Sequence, residues 1–222
     1  MPTKPLRTKA IVLRRTNYGE TDRIINILTP EGQKSVRARG VRKEKSKLAG
    51  GIEMFCVSDV VIHEGKSDIG TLTSAKMLVF FQNILTDLTK LELASKILKD
   101  INRASTHIDS PDFFSITEQS FAGLNDNYPP ALVETWFILN LRKITGEELN
   151  LVRDKDGNKL QADKSYAWDS FAEAFYLQDA GPITADHIKL LRLMTVLPLK
   201  NICQIKNLAE LLPTATTVID KI

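Results

Sequence analysis

Cysteine and histidine are scarce in this sequence. Only Cys56 and Cys203 occur in 222 residues, and His63, His107 and His187 are far apart with none beside a cysteine. A zinc site needs about four such ligands at close spacing, so no metal cofactor is expected. Each cysteine has apolar neighbours (Phe55 and Val57; Ile202). That setting suits buried reduced thiols better than a disulfide, which belongs to oxidising compartments. No window approaches the roughly eighteen uninterrupted apolar residues of a membrane span. Met1–Lys9 carries basic residues without the apolar run of a signal peptide. A cytoplasmic protein is the expectation. Catalytic signatures are missing as well. No Ser–His–Asp or Cys–His arrangement is suggested, and Gly50-Gly51 lacks the Lys-Ser/Thr of a phosphate loop; it reads as a turn leading into a strand. Asp154 and Asp156 resemble the start of a calcium loop, but the spaced acids and closing Glu do not follow. A solvated turn is expected there, and no enzyme.

What the sequence does have is an uneven distribution of charge. Residues 1–80 hold 15 Lys and Arg against 8 Asp and Glu, a net of +7, while residues 81–222 hold 15 against 19, a net of −4. A basic module on a mildly acidic body is the usual footprint of a polyanion-binding domain.

The basic module reads as strands. Thr8–Arg15, Asp22–Thr29, Gln33–Gly40, Ile52–Glu64 and Gly70–Phe80 are apolar or alternating runs. They are separated by turn signals at Asn17–Glu20, Pro30–Gly32 and Gly65–Asp68. In Gln33–Gly40, Ser35, Arg37 and Arg39 fall on one side and Val36 and Ala38 on the other, the period of a half-buried strand. Five strands in eighty residues suggest a small closed barrel, best matched by the OB fold. The fold class is therefore α+β in two domains, with an OB barrel over 1–80 and a mainly helical domain over 81–222.

In the second part the period lengthens. Leu88, Leu91, Ala94, Leu98 and Ile101 recur at helical spacing. Ser110-Pro111 is a helix start with Ser as N-cap. Pro129-Pro130 opens another helix, striped by Leu132, Trp136, Leu139 and Lys143 with Val133, Phe137 and Leu141 beside them, and closed by Gly146. Thr184 can cap a fourth helix carrying Ile188, Leu191, Met194 and Leu197, which Pro198 stops. These apolar stripes are core. Between the last two helices, residues 149–168 contain Asp156-Gly157, a tight-turn dipeptide, with Leu151, Val152 and Leu160 placed to pin two short strands.

The most informative stretch is Lys34–Lys47, which carries Lys34, Arg37, Arg39, Arg42, Lys43, Lys45 and Lys47 with Glu44 as its one acid. Cations that neutralise phosphates release condensed counterions, so their number sets affinity. Two readings are open, a phosphate-binding surface or a solvated loop that aids solubility. Lys9, Arg14, Arg15 and Arg23 extend the patch on adjoining strands and favour the first. Tyr18 either stacks on a base or packs on the barrel rim. Aromatics are otherwise few in this region, so phosphate contacts should govern binding and base preference should be weak.

Ala10–Arg15, Tyr18–Ile24 (YGETDRI) and Gly40–Gly50 (GVRKEKSKLAG), continued by Glu64-Gly65 and Gly70–Thr73, resemble the N-terminal OB domain of RecO, a family of bacterial DNA-repair proteins that act as recombination mediators. The resemblance is specific over residues 5–80 and looser over the helical part. It implies binding of single- and double-stranded DNA, annealing of complementary strands, and loading of RecA, together with RecR, on strands coated by single-stranded-DNA-binding protein (SSB). It also implies that the Tyr18–Arg23 and Gly40–Lys47 loops face DNA and that the helical domain contacts the SSB C-terminal tail. Many family members have a four-cysteine zinc site in the segment matching residues 149–168. This sequence has no cysteine there, so zinc is not carried over. Two other classes stay open, an RNA-binding OB protein and an adaptor that docks acidic tails.

Overall fold

The computed structural model describes residues 5–64 and 68–222. Most of the expected Gly65–Asp68 turn, and Met1–Lys4, lie outside them. The chain forms two compact units, Met1–Asp126 and Asn127–Ile222. The first therefore reaches beyond the last barrel strand, which ends at Phe80, and takes in two helices.

Five strands close a barrel: β1 (Leu6–Tyr18), β2 (Asp22–Thr29), β3 (Gly32–Ala38), β4 (Cys56–His63) and β5 (Ile69–Phe80), in the order β1-β2-β3-β5-β4. All neighbours pair antiparallel except β3 and β5, whose parallel pairing is that of an OB barrel. The β-branched and aliphatic side chains of alternate positions fill the interior, among them Val12, Ile25, Ile27, Val36, Val60, Ile62 and Leu72. A 3-10 turn, Ala49–Ile52, plugs one mouth with Ile52, and Val41 joins the same core. Gly50-Gly51 thus belongs to a plug and is not simply a turn before a strand. Gly51 has no room for a side chain, since a Cβ would stand 2.4 Å from the Ala75 carbonyl.

β1 runs three residues beyond Arg15, so Asn17 and Tyr18 sit on a strand and the turn begins at Gly19, whose φ is +57°. A bulge between Val12 and Arg14 has a larger consequence. It breaks the alternation that would have sent Arg14 into the barrel with Val12, and turns it outward.

α1 (Leu88–Ala104) and α2 (Asp112–Asn125) complete the first unit. Asp87 caps α1 by accepting from the Lys90 amide. The buried stripe of α1 is Leu93, Ala94, Ile97, Leu98 and Ile101, and Leu88, expected on it, is 70% exposed. Leu88 stands at the first position of the helix, before the turn that meets the barrel. Asn102 of α1 and Ser105 at its C-cap bond Asn26 and Gln33 on β2 and β3. Pro111, not Ser110, is the N-cap of α2, though the Ser110 hydroxyl accepts from the Asp112 amide. Phe121 of α2 meets Phe55 and Phe81 edge-on.

The second unit contains α3 (Pro130–Thr145), β6 (Tyr166–Asp169), β7 (Ala174–Leu177), α4 (Ala185–Val196), α5 (Leu199–Ile202) and α6 (Leu208–Ile219). Pro130 starts α3 and left-handed Gly146 ends it, as expected. Trp136 and Phe137 of α3, Leu191 and Met194 of α4 and Ala215 and Val218 of α6 are buried together. Trp136 Nε1 donates to the Leu197 carbonyl at 3.0 Å. The strands expected around Asp156-Gly157 shrink to one bridge, Arg153 to Lys159, and Val152 is 57% exposed. The Asp154 carboxylate closes this turn through the amides of Asp156 and Asn158, and too few apolar residues flank it to anchor a ladder. The true hairpin, β6–β7, comes later and is secured by Trp168 and Phe175 at 5.0 Å.

Candidate nucleic-acid interface

Strand register decides which cations share a surface. On the outer side of the barrel, Thr16, Ile24, Arg37 and Thr71 form one row across β1, β2, β3 and β5. Arg14, Asn26, Ser35 and Ile69 form the next. Tyr18 pairs with Asp22 in the row above. α1 covers the lower part of this face through its bonds to Asn26 and Gln33. The upper part is open, and there Tyr18, Ile24, Arg37, Arg39, Ile69, Gly70 and Thr71 line a groove of about 290 Å³.

Asp22 ties this face to the basic loop. Its Oδ1 accepts the Gly40 amide at 2.7 Å and the Thr21 hydroxyl at 3.1 Å. Its Oδ2 accepts Arg37 Nε at 2.8 Å and Nη2 at 2.6 Å. The Gly40 N–H, and then Arg37, hold the Asp22 carboxyl below the usual carboxylate range. The loop is fastened a second time by Arg42, whose amide donates to the Thr21 carbonyl and whose guanidinium donates to the Gly19 carbonyl. Gly40 makes the bend at a φ of +61°. Buried Val41 then pins the loop to the core, leaving Arg42, Lys43, Lys45 and Lys47 exposed. The Arg37 guanidinium lies over the Tyr18 ring, 5.0 Å from its centroid.

The sequence-derived candidates therefore divide. Tyr18, Arg37, Arg39, Arg42 and Lys43 meet around Asp22, with Arg14 lower on the same face and Lys45 and Lys47 farther along the loop. Arg23 bonds Asn17 Oδ1 on the neighbouring strand and lies on the inward-facing side at the barrel mouth. Three others stand apart. Arg15 points to the mouth, bonded to the Ile52 carbonyl and Glu53. Lys34 pairs with Glu64 at the far end of β3. Lys9 is on the β1–β4 side opposite Asp59, about 16 Å of strand from Arg14. Among the described residues, Arg14, Arg39, Arg42, Lys43, Lys45 and Lys47 form no ion pair. The nearby acids of the turn and loop, Glu20 and Glu44, are exposed.

Asp22, Ile24, Ile69 and Thr71 were not among the candidates. An acid inside a basic patch reads as a flaw in sequence, and Ile24 and Ile69 read as ordinary strand residues. No local signal marks them.

The segment 149–168 offers no thiolate set for zinc, and its Asp154 Oδ1 accepts two amides of the turn. Among the described residues no three His, Cys, Asp or Glu side chains converge on a metal-sized cluster. Among the described residues no helix is long and apolar enough to cross a membrane.

Comparison with known proteins adds an independent line. Residues 1–81 match the family model for the recombination protein O N terminal. A DNA repair protein RecO from Dehalococcoides mccartyi (strain CBDB1) is 30% identical over 220 residues, covering 95% of this chain and 87% of the relative. The RecO from Heliobacterium modesticaldum is 32% identical over 169 residues, covering 75% and 61%. That from Acetivibrio thermocellus is 37% identical over 98 residues, covering 44% and 39%.

Proposed function

Because the chain belongs to the RecO family of DNA repair proteins, we propose that its barrel binds DNA phosphates across the upper outer face and the Gly40–Lys47 loop, and anneals complementary strands without a covalent step. The observation that carries this is the gathering around the Asp22 clamp of cations that, among the described residues, form no ion pair. Two DNA strands repel each other as polyanions. A fixed cationic surface screens that repulsion and raises the local concentration of both strands. Holding the loop to the barrel before DNA arrives spares the ordering cost that a free loop would incur on binding. Family membership favours DNA over RNA as the ligand.

The same family likeness extends the proposal to partners, namely work with RecR to load RecA on SSB-coated strands. In the second unit, a groove of about 690 Å³ is lined by Leu139, Leu149, Leu151, Val152, Leu193 and Val196, with Lys189, Arg192 and one acid, Glu148, beside them. Apolar walls with two cations against one acid suit an acidic segment such as the SSB tail. Zinc has no part in the proposal, since residues 149–168 lack cysteine; chelator treatment should leave annealing unchanged.

The test is annealing of complementary strands coated with SSB. The R39E/R42E variant should lose most of the stimulation, and K9E/K34E, altered at sites away from the clamp, should keep it. Full activity of R39E/R42E would move the DNA site elsewhere.

A further inference from the structure

The open groove beside the Asp22 clamp is not lined for phosphates alone. Its floor is Ile24 and Ile69, and one wall is Tyr18; Tyr18 is 52% exposed and Ile69 43%. Phosphate oxygens gain nothing from aliphatic or aromatic carbon. Yet these side chains share the groove with Arg37 and Arg39, inside the cationic surface. Register sets this arrangement. Ile24 is the cross-strand partner of Arg37, and Arg37 the partner of Thr71, so an apolar, a cationic and a hydroxyl group stand side by side on three adjacent strands. Gly70 adds no bulk on the groove side; a Cβ there would meet Ile62 on the core side at 2.9 Å.

We propose that this groove seats one unpaired nucleobase, so that the barrel face prefers single-stranded to double-stranded DNA. The proposal rests on the DNA-binding reading above and names the part of DNA that the groove takes. The Tyr18 ring and the planar Arg37 guanidinium that lies over it form a platform on which a base lies flat. Ile24 and Ile69 cover the rest of the base while Arg39 reaches a flanking phosphate. In a duplex both faces of each base are hidden by its neighbours, and only a single strand can turn a base out onto such a platform. The volume, about 290 Å³, lies at the bottom of the range for small-ligand clefts, which suits one base and not a base pair. The Thr71 hydroxyl at the edge both donates and accepts, so it suits any base. The seat therefore selects strandedness and not sequence.

The experiment measures equilibrium binding of the full chain to three ligands of equal length: a thymidine oligonucleotide, the same backbone without bases, and a duplex. The wild type should bind the thymidine strand about 5- to 150-fold more tightly than the abasic one, the span expected for one stacked base. Tyr18→Ala should abolish that margin, shifting affinity for the abasic strand and the duplex by less than about twofold on the same scale. Tyr18→Phe should restore it. Equal binding of thymidine and abasic strands by the wild type would overturn the seat. So would a Tyr18→Ala loss that is equal on all three ligands, because Tyr18 would then act only by orienting Arg37. If the wild type binds none of the three, the DNA-binding reading itself falls and takes the seat with it.

Discussion

Raising the salt concentration should weaken DNA binding by an amount that counts the cations in use. Each phosphate neutralised on a single strand contributes about −0.7 to the slope of log affinity against log salt. Six cations on the clamp side, Arg14, Arg39, Arg42, Lys43, Lys45 and Lys47, form no ion pair among the described residues. If each meets one phosphate, the slope is near −4, and affinity falls about 300-fold between roughly 50 and 200 mM salt. All eleven cations suggested by sequence would instead give a slope near −8 and a loss of roughly 40,000-fold. The structure argues for the smaller figure. Arg15, Lys34 and Arg37 already hold Glu53, Glu64 and Asp22, so they are not free to neutralise a phosphate and displace the counterion condensed on it. Fluorescence anisotropy of a labelled oligonucleotide at five salt concentrations would give the slope. R39E/R42E should flatten it to about −3 or less. A wild-type slope shallower than about −2, or one near −8, would refute the division of cations drawn from the ion pairs.

Three further outcomes are expected. Asp22→Asn removes a negative charge from a cationic surface, yet it should weaken DNA binding, because Asp22 holds both Gly40 and Arg37; tighter binding at fixed salt would contradict the clamp. Gly51→Ala should lower barrel stability by about 1–3 kcal/mol in urea unfolding through overpacking against Ala75, whereas Gly50→Ala, with nothing within 4 Å, should leave the midpoint unmoved. His187 has its pKa lowered chiefly by burial, with Asp186 pulling the other way, and its Nδ1 accepts the Thr184 amide at the start of α4. A lowered folded pKa means that its contribution to stability is present above the unfolded value near 6.5 and is lost as pH falls through the folded value. The thermal midpoint should therefore drop between about pH 7 and 5.5 more in the wild type than in His187→Ala, and equal drops would count against this cap.

Much of the barrel was legible because strand periodicity is a local property. Val36 and Ala38 face inward and Arg37 outward as the alternation of Gln33–Gly40 requires. Helix ends at Pro130, Gly146 and Thr184 follow from backbone chemistry at single residues. The misses arise where distant contacts override local pattern. Leu88 fits the helical period and is nevertheless exposed, since the stripe that the barrel covers starts later on α1. The short strands expected near Asp156 gave way to a turn closed by Asp154, and β6–β7 formed where Trp168 and Phe175 could pack.

By itself the sequence determined that a basic barrel precedes a helical part, and that the cations are densest between Lys34 and Lys47. Both follow from composition and from periods of two and 3.6 residues, which need no knowledge of distant neighbours. Only the tertiary structure decided which cations are available. Arg15 meets Glu53, Lys34 meets Glu64 and Arg37 meets Asp22 across gaps of 38, 30 and 15 residues. The bulge beside Val12 turns Arg14 to the outside. Such pairings depend on register and barrel closure, which are set by the sum of many long-range contacts and leave no mark in any short window of sequence.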